Sequence, residues 1–161
     1  MATFLLKTPR LYLRKYVLED YPLLVQLYTN WKWEGVDEEF AKQFLETVIQ
    51  KQYEKGGGVF ATFLRENDVY IGHCGLKYMD SSGEWHLSFR FLKSHWRNNF
   101  PAEAIKVCIE YGFNSLNVNE IIVDLQTKSK SAARTLISQG FRHRMTFEHA
   151  GETLQRYSIF S

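Results

Sequence analysis

HWRNNFPAEAIKVCIEYGF, residues 95–113, is the stretch on which the architecture turns. From Pro101 to Ser115 apolar residues return at a helical period, with Ile105, Cys108 and Tyr111 or Gly112 along one face. Pro101 suits a first helical turn, where a missing N–H costs nothing within the helix. Immediately upstream, Trp85 to Leu92 reads as a strand, and downstream Glu120 to Gln126 reads as another. A helix set between two strands marks a mixed chain of helices and strands.

The rest of the sequence extends that pattern in both directions. Toward the N-terminus, Val59 to Arg65 and Val69 to Tyr78 join Trp85 to Leu92 in an antiparallel meander. Its turn signals are Glu66-Asn67-Asp68 and Asp80-Ser81-Ser82-Gly83. Before the meander come two predicted helices. One opens at Glu19 and Asp20 and runs to about Tyr28, with Pro22 in its first turn. The other starts at Asp37, with Phe40, Phe44 and Val48 at helical spacing, and is stopped by Gly56-Gly57-Gly58. No Lys-Ser/Thr follows these glycines, which makes them a helix stop and not a phosphate loop. Asn30 to Gly35 is a loop. At the very start, Arg10 to Tyr16 alternates Leu11 and Leu13 with polar neighbours, as a half-buried strand does. Toward the C-terminus, Ser129 to Ser138 is a predicted helix closed by Gly140. Phe141 to Phe147 and Glu152 to Phe160 then form a hairpin around Ala150-Gly151. The order is β-α-α-β-β-β-α-β-α-β-β, an α+β fold. No linker divides it, so residues 1–161 are expected to form one domain.

Composition narrows the function. The 161 residues carry a formal charge of only +2, and the basic residues are scattered. A protein that holds nucleic acid by neutralising phosphates has a stronger and more clustered bias, so no nucleic-acid partner is expected. Cys74 and Cys108 lie far apart and outside any Cys/His spacing, which points to two reduced thiols and no metal. The apolar run from Met1 to Leu6 is too short for a signal peptide. Nothing approaches the roughly 20 apolar residues of a membrane span. These features predict a cytoplasmic protein with no membrane partner.

The element order is that of the GNAT superfamily of N-acetyltransferases, and several segments resemble its ribosomal-protein N-acetyltransferase branch. TPRLYLRKYVLEDYPLL (8–24) is similar to the opening strand and acidic helix start of that branch. IGHCGL (71–76) resembles its third strand, and SKSAARTLISQGF (129–141) the late helix ending in Gly140-Phe141. The 95–113 stretch matches the segment carrying the cofactor loop, through Trp96, Glu103, Ala104 and Phe113. The resemblance implies three α/β/α layers around a central mixed, mostly antiparallel sheet. It implies acetyl-coenzyme A as donor and a small-molecule or peptide amine as acceptor. Many relatives pair through their late strands, which makes a homodimer the expected assembly.

The resemblance also assigns residues. A Gln/Arg-x-x-Gly-x-Gly/Ala loop at a helix start holds the pyrophosphate, because free N–H groups and the positive dipole end meet there. Here that loop is Arg97, Asn98, Asn99, Phe100, Pro101 and Ala102. Asn99 replaces the usual glycine and Pro101 the usual small residue. Asn tolerates positive φ, but proline has no N–H to give, and Arg97 is the side chain placed to compensate. The pantetheine arm is expected between Trp85–Leu92 and Glu120–Gln126. A backbone N–H near a bulge around Phe91 and Leu92 would face the thioester oxygen. Ser129 stands where the family has an asparagine, Ala132 where it has a serine, and Leu136 where some members have an acidic tyrosine. Arg134, on the same helix, is the best of the basic residues for the nucleotide phosphates; Arg142, His143 and Arg144 read as solvated charges.

For the base, Glu84 and His86 alternate on one strand face, and His86 falls near a glutamate of many relatives. An imidazole with a pKa of about 6.5 suits an α-amino group of about 7.7–8.0 better than a lysine of about 10.4. Two readings stand for this pair: catalytic, or a solvated strand face, with deprotonation through water as a third route. His73 reads as a satisfied structural histidine, and Cys108 as inert packing on an apolar face. Trp31 and Trp33 either wall the acceptor site or pack the loop. Two functions follow: an N-acetyltransferase, or a GNAT domain that binds acyl-coenzyme A or a partner without turnover.

Overall fold

The computed structural model describes residues 5–161. Of the apolar run at Met1–Leu6, the first four residues lie outside that range. Eight strands make one sheet: β1 (Leu5–Lys7), β2 (Leu11–Lys15), β3 (Gly58–Leu64), β4 (Tyr70–Met79), β5 (Glu84–Phe91), β6 (Glu120–Gln126), β7 (Arg142–His149) and β8 (Glu152–Phe160). Their order is β1-β2-β3-β4-β5-β6-β8-β7. Every neighbouring pair is antiparallel except β5–β6. The helices are α1 (Tyr21–Asn30), α2 (Glu38–Phe44), α3 (Gln50–Glu54), α4 (Phe100–Asn114) and α5 (Lys130–Ser138).

α1 to α3 cover one face of the sheet. Tyr28 of α1 meets His73 of β4, and Gln52 of α3 shares a cavity with Lys77 and Ser88. α4 covers the other, where a Cβ on Gly112 would come within 2.5 Å of Leu76. Cys74 and Cys108 meet there as buried free cysteines, and burial raises the Cys74 thiol well above its usual range. A thiolate is disfavoured at that place, which leaves it as inert packing. The three-layer α+β arrangement is thus present, with β1 as an additional edge strand. Three residues long and pairing Leu5–Lys7 with Tyr12–Arg14, β1 is too short to show a period in the sequence.

Two local expectations are corrected. Phe40 and Val48 are exposed, while Ala41, Leu45 and Ile49 are buried. Both series repeat every four residues, so spacing alone does not choose between them, and a π turn at Leu45–Ile49 rotates the continuation into α3. The predicted bulge near Phe91 is absent, since β4 and β5 stay in register from Gly72–Phe91 to Met79–Glu84. The irregularity lies at Thr62/Phe63, between β3 and β4.

Side chains tie the helices to the strands. Asp20 accepts from both Arg14 guanidinium nitrogens, at 2.7 and 3.0 Å, and from the Val17 N–H at 2.8 Å, which joins β2 to the start of α1. Asp37 caps α2 by accepting from the Phe40 N–H at 2.9 Å. Glu103, in the first turn of α4, accepts from the Thr8 hydroxyl and from Arg10 N (2.9 Å) and Nε (2.8 Å). Burial alone would raise the Glu103 carboxyl; the Thr8 and Arg10 bonds overcome it and lower its pKa. A depressed folded-state pKa gives stability that is complete above the ordinary value and is lost as pH falls through the lowered one. Glu103→Gln is therefore expected to cost about 1–3 kcal/mol at pH 7. The difference from wild type should shrink in denaturation curves below about pH 4, where the unfolded carboxyl is protonated. A pH-independent difference would contradict this.

Candidate active site

β5 and β6 are paired only at Trp85–Ile121 and His86–Ile122. Beyond these the two strands separate, and a cleft of about 570 Å³ opens between them, lined by Ser88, Phe89, Trp96, Val123, Ser129 and Trp31 among others. The backbone on its β5 side follows from the strand pairing. Leu92 donates to Ile71 O at 2.8 Å, so alternation turns Arg90 and Ser88 toward β4. The main-chain groups of Phe89 and Phe91 then point to the β6 side of β5, Phe89 at the cleft and Phe91, fully buried, beyond its lining. The Phe91 carbonyl is already taken by Trp31 Nε1 at 2.8 Å, and Asn30 accepts from Lys93 N at 2.9 Å. These two bonds fasten the end of α1 to the end of β5.

The cleft holds one polar atom that the fold leaves unsatisfied. Trp96 Nε1 is buried and has no hydrogen-bond partner among the described residues. A buried donor without a partner costs about 1–3 kcal/mol. An extended arm bearing amide groups, lying between β5 and β6, would pair with the free strand edge. The Ser129 hydroxyl, at the start of α5, makes no hydrogen bond among the described residues.

At the start of α4, Asn99 is left-handed, with φ 61° and ψ 20°, and Asn98 has φ 67°. Glu103 N donates to Asn99 O at 3.1 Å. Pro101 has no N–H, and Asn98 and Asn99 form a turn that leads into the first turn of α4. Free donors at a helix N-terminus suit a phosphate. The residues present therefore fit coenzyme A, with the unpaired β5 edge for its arm and the α4 start for its diphosphate.

On the α1–α3 side of β5, Glu84, His86, Ser88 and Arg90 share one face. His86 Nε2 and Glu84 Oε1 are 3.1 Å apart, Glu84 accepts from Arg156 at 3.1 Å, and Arg156 holds Asp124 with two bonds of 2.9 Å. The His86 contact, followed by Ser82 and Arg156, lowers the Glu84 pKa against a smaller opposing effect of burial. Glu84 is thus a fixed anion that orients the His86 ring. His73 is fully enclosed, with Nδ1 2.9 Å from the Tyr16 hydroxyl, which also meets the Tyr70 hydroxyl at 2.6 Å. Burial first, then the charges of Arg90 and Lys77, lower its pKa to about 3. It is neutral at every physiological pH.

A family model described as an acetyltransferase (GNAT) domain matches residues 10–142. The chain belongs to the GNAT family of acetyltransferases. Among GNAT relatives, the uncharacterized N-acetyltransferase p20 of Bacillus licheniformis is 29% identical over 145 residues, 85% of this chain and 82% of that one. A GNAT-family acetyltransferase of Bacillus anthracis superposes with a TM-score of 0.82 at 20% identity, over 98% of both chains. A ribosomal alpha-N-protein acetyltransferase in complex with coenzyme A superposes with a TM-score of 0.85 at 10% identity, again over 98% of both. These two likenesses show the GNAT fold. The family uses acetyl-coenzyme A as acetyl donor.

Within the GNAT framework the predicted residues fall into three groups. Ser129 and Trp31 meet at the β5–β6 cleft; Phe91 is fully buried behind it, bonded to Trp31 through its carbonyl, and Leu92 has its N–H spent on β4. Arg97, Asn98, Asn99, Phe100, Pro101 and Ala102 surround the α4 start, where Arg97 is exposed and Phe100 lies under the Arg10 guanidinium at 4.4 Å. Glu84 and His86 stand on the opposite side of β5. Trp33 stacks on Tyr28 at 4.9 Å, remains half-exposed, and lies against Arg90 at 4.7 Å. Arg134 is exposed on α5 and lines neither the cleft nor the cavity beside the α4 start. Leu136 is fully buried in the core. Sequence reasoning passed over Asp124 and Arg156, which sit in strands otherwise read for their apolar residues. Only the cross-strand register Asp124–Arg156 shows them as partners.

Proposed function

We propose that this protein moves the acetyl group of acetyl-coenzyme A directly to a primary amine, on a small molecule or at the amino terminus of a peptide. The observation that carries this reading is the parting of β5 from β6, which opens a cleft lined by Phe89 of β5 and by Trp96. In the reaction the amine nitrogen forms a bond to the thioester carbonyl carbon, the C–S bond breaks, and coenzyme A leaves as thiolate, which takes up, through water, the second proton that the nitrogen sheds as the amide forms. The acceptor ammonium must first lose a proton, which His86, oriented by Glu84, is placed to take directly or through water. The Phe91 N–H supports the growing negative charge on the carbonyl oxygen. A preformed donor in a partly enclosed cleft does this without reorganising at the moment of reaction.

The test is thiol release from acetyl-coenzyme A over a panel of amines, run beside thermal unfolding with acetyl-coenzyme A. At 100 times its dissociation constant the donor stabilises the fold by about 2.7 kcal/mol. Trp96→Phe keeps the ring but removes the N–H, and is expected to weaken binding by roughly 5–10-fold, equal to one hydrogen bond of about 1 kcal/mol. Equal affinity would remove the indole from the cofactor site. The buried Leu136 and the missing N–H of Pro101 favour a second reading, a GNAT domain that binds without turnover. Stabilisation without thiol release from any amine would select it.

A further inference from the structure

The acceptor side of β4 and β5 has an electrostatic character that the reaction itself does not require. Lys77 is the register partner of His86, and Arg90 that of His73, so both cations share the face covered by α1–α3. Lys77 is half-buried and forms no ion pair among the described residues. Arg90 is surrounded by the rings of Tyr28, Trp31 and Trp33, at 6.0, 5.5 and 4.7 Å, and has no carboxylate partner among them either. The nearby acids are already committed, Glu84 to Arg156 and His86, and Asp20 to Arg14. His73 is neutral and adds no compensating charge. Burial lowers the pKa of both Lys77 and Arg90, as expected for cations that lack an anion.

Between these strands and the helices lies a cavity of about 150 Å³, lined by Lys77, Ser88, His73 and Gln52 among others. Its volume is roughly five times the share of one water molecule, enough for a short acidic side chain or a small amino acid. The Gln52 Oε1 atom is buried and has no hydrogen-bond partner among the described residues, so the cavity wall includes a second unsatisfied polar group. Two half-buried cations with no ion pair among the described residues favour an anionic group on the guest, while the Gln52 oxygen calls for a donor such as the guest's ammonium.

We propose that the acceptor is an amine that carries a carboxylate, drawn by Lys77 in this cavity and by Arg90 in the adjoining cleft, with its amino group directed to the β5–β6 cleft. The inference rests on the transferase reading and adds the substrate class. Ser88 lines both the cavity and the cleft, so the two spaces adjoin. A cationic polyamine would meet two uncompensated positive charges and is disfavoured.

Thiol release supplies the test, with acceptors matched except for charge. The free amino acids glutamate and glutamine form one arm, and peptides beginning Ser-Glu, Ser-Gln and Ser-Lys form the other. The glutamate member of at least one arm is expected to show kcat/KM at least about tenfold above its neutral partner, the scale of one charge-assisted contact. The arm that shows it separates a free amino acid from a peptide terminus. Lys77→Met and, separately, Lys77→Gln should each cut that glutamate-to-glutamine ratio about tenfold, mainly through KM, in protein that unfolds cooperatively. Turnover in which neutral or lysine-bearing acceptors equal the acidic ones overturns the inference alone, as does a ratio unchanged in both Lys77 variants. Absence of thiol release from every amine overturns the transferase reading and this inference with it.

Discussion

His86→Gln is expected to lower kcat by about 10²–10⁴-fold at saturating acetyl-coenzyme A, with little change in cofactor affinity. Glutamine retains a polar end within reach of Glu84 but does not accept and release a proton near neutral pH. The imidazole lies 3.1 Å from a carboxylate that Arg156 also holds, so its ring has a fixed direction. Its pairing position on β5 is next to the point where β6 departs. Steady-state thiol release decides the matter. An unchanged rate would take His86 out of the mechanism and leave deprotonation to water.

Gly72→Ala should have the largest effect on stability. Gly72 has φ +140°, a region closed to residues with a side chain, and an added Cβ would lie 2.2 Å from the Arg90 carbonyl oxygen and 2.7 Å from Phe91 Cα. No flexible side chain can yield there, because both contacts are backbone. Backbone strain alone costs about 1–3 kcal/mol, and the clash adds to it, for a total of at least about 3 kcal/mol. For a chain of this size, that lowers Tm by roughly 6–12 °C. Because the strained contact pushes on Arg90 and Phe91, the variant should also bind acetyl-coenzyme A more weakly. A Tm within a degree or two of wild type would show that β4 and β5 separate more easily than their register suggests.

Much of the architecture was legible because its strands and helices carry clean periods. β6 and β8 begin and end at the residues their patterns predict, and Asn99 takes the positive φ that its residue type permits. What escaped was what depends on neighbours in space. β1 is held by pairing with β2 and not by any pattern of its own. The buried stripe of α2 differs by one residue from the stripe read in sequence, since a four-residue repeat of apolar side chains was present twice. The candidate site divides in the same way. Glu84 and His86 were visible as alternating residues on one strand. Asp124 and Arg156 lie 32 residues apart, and their bond exists only because β6 pairs with β8. That Lys77 and Arg90 have no carboxylate partner among the described residues depends on packing in space, which no local pattern can express.

Acetyl transfer by this protein requires the α4 start and the β5–β6 cleft together to hold coenzyme A, despite Asn99 in place of glycine and Pro101 in place of a residue with an N–H. A crystal structure of the protein soaked in acetyl-coenzyme A tests this most directly. The predicted result has the pantetheine arm lying along Phe89 and Phe91 with a bond from Trp96 Nε1, and the diphosphate on the N–H groups of residues 98–100 and 102. A cleft closed by its own side chains, with the α4 start bare of phosphate at a saturating concentration, would contradict it.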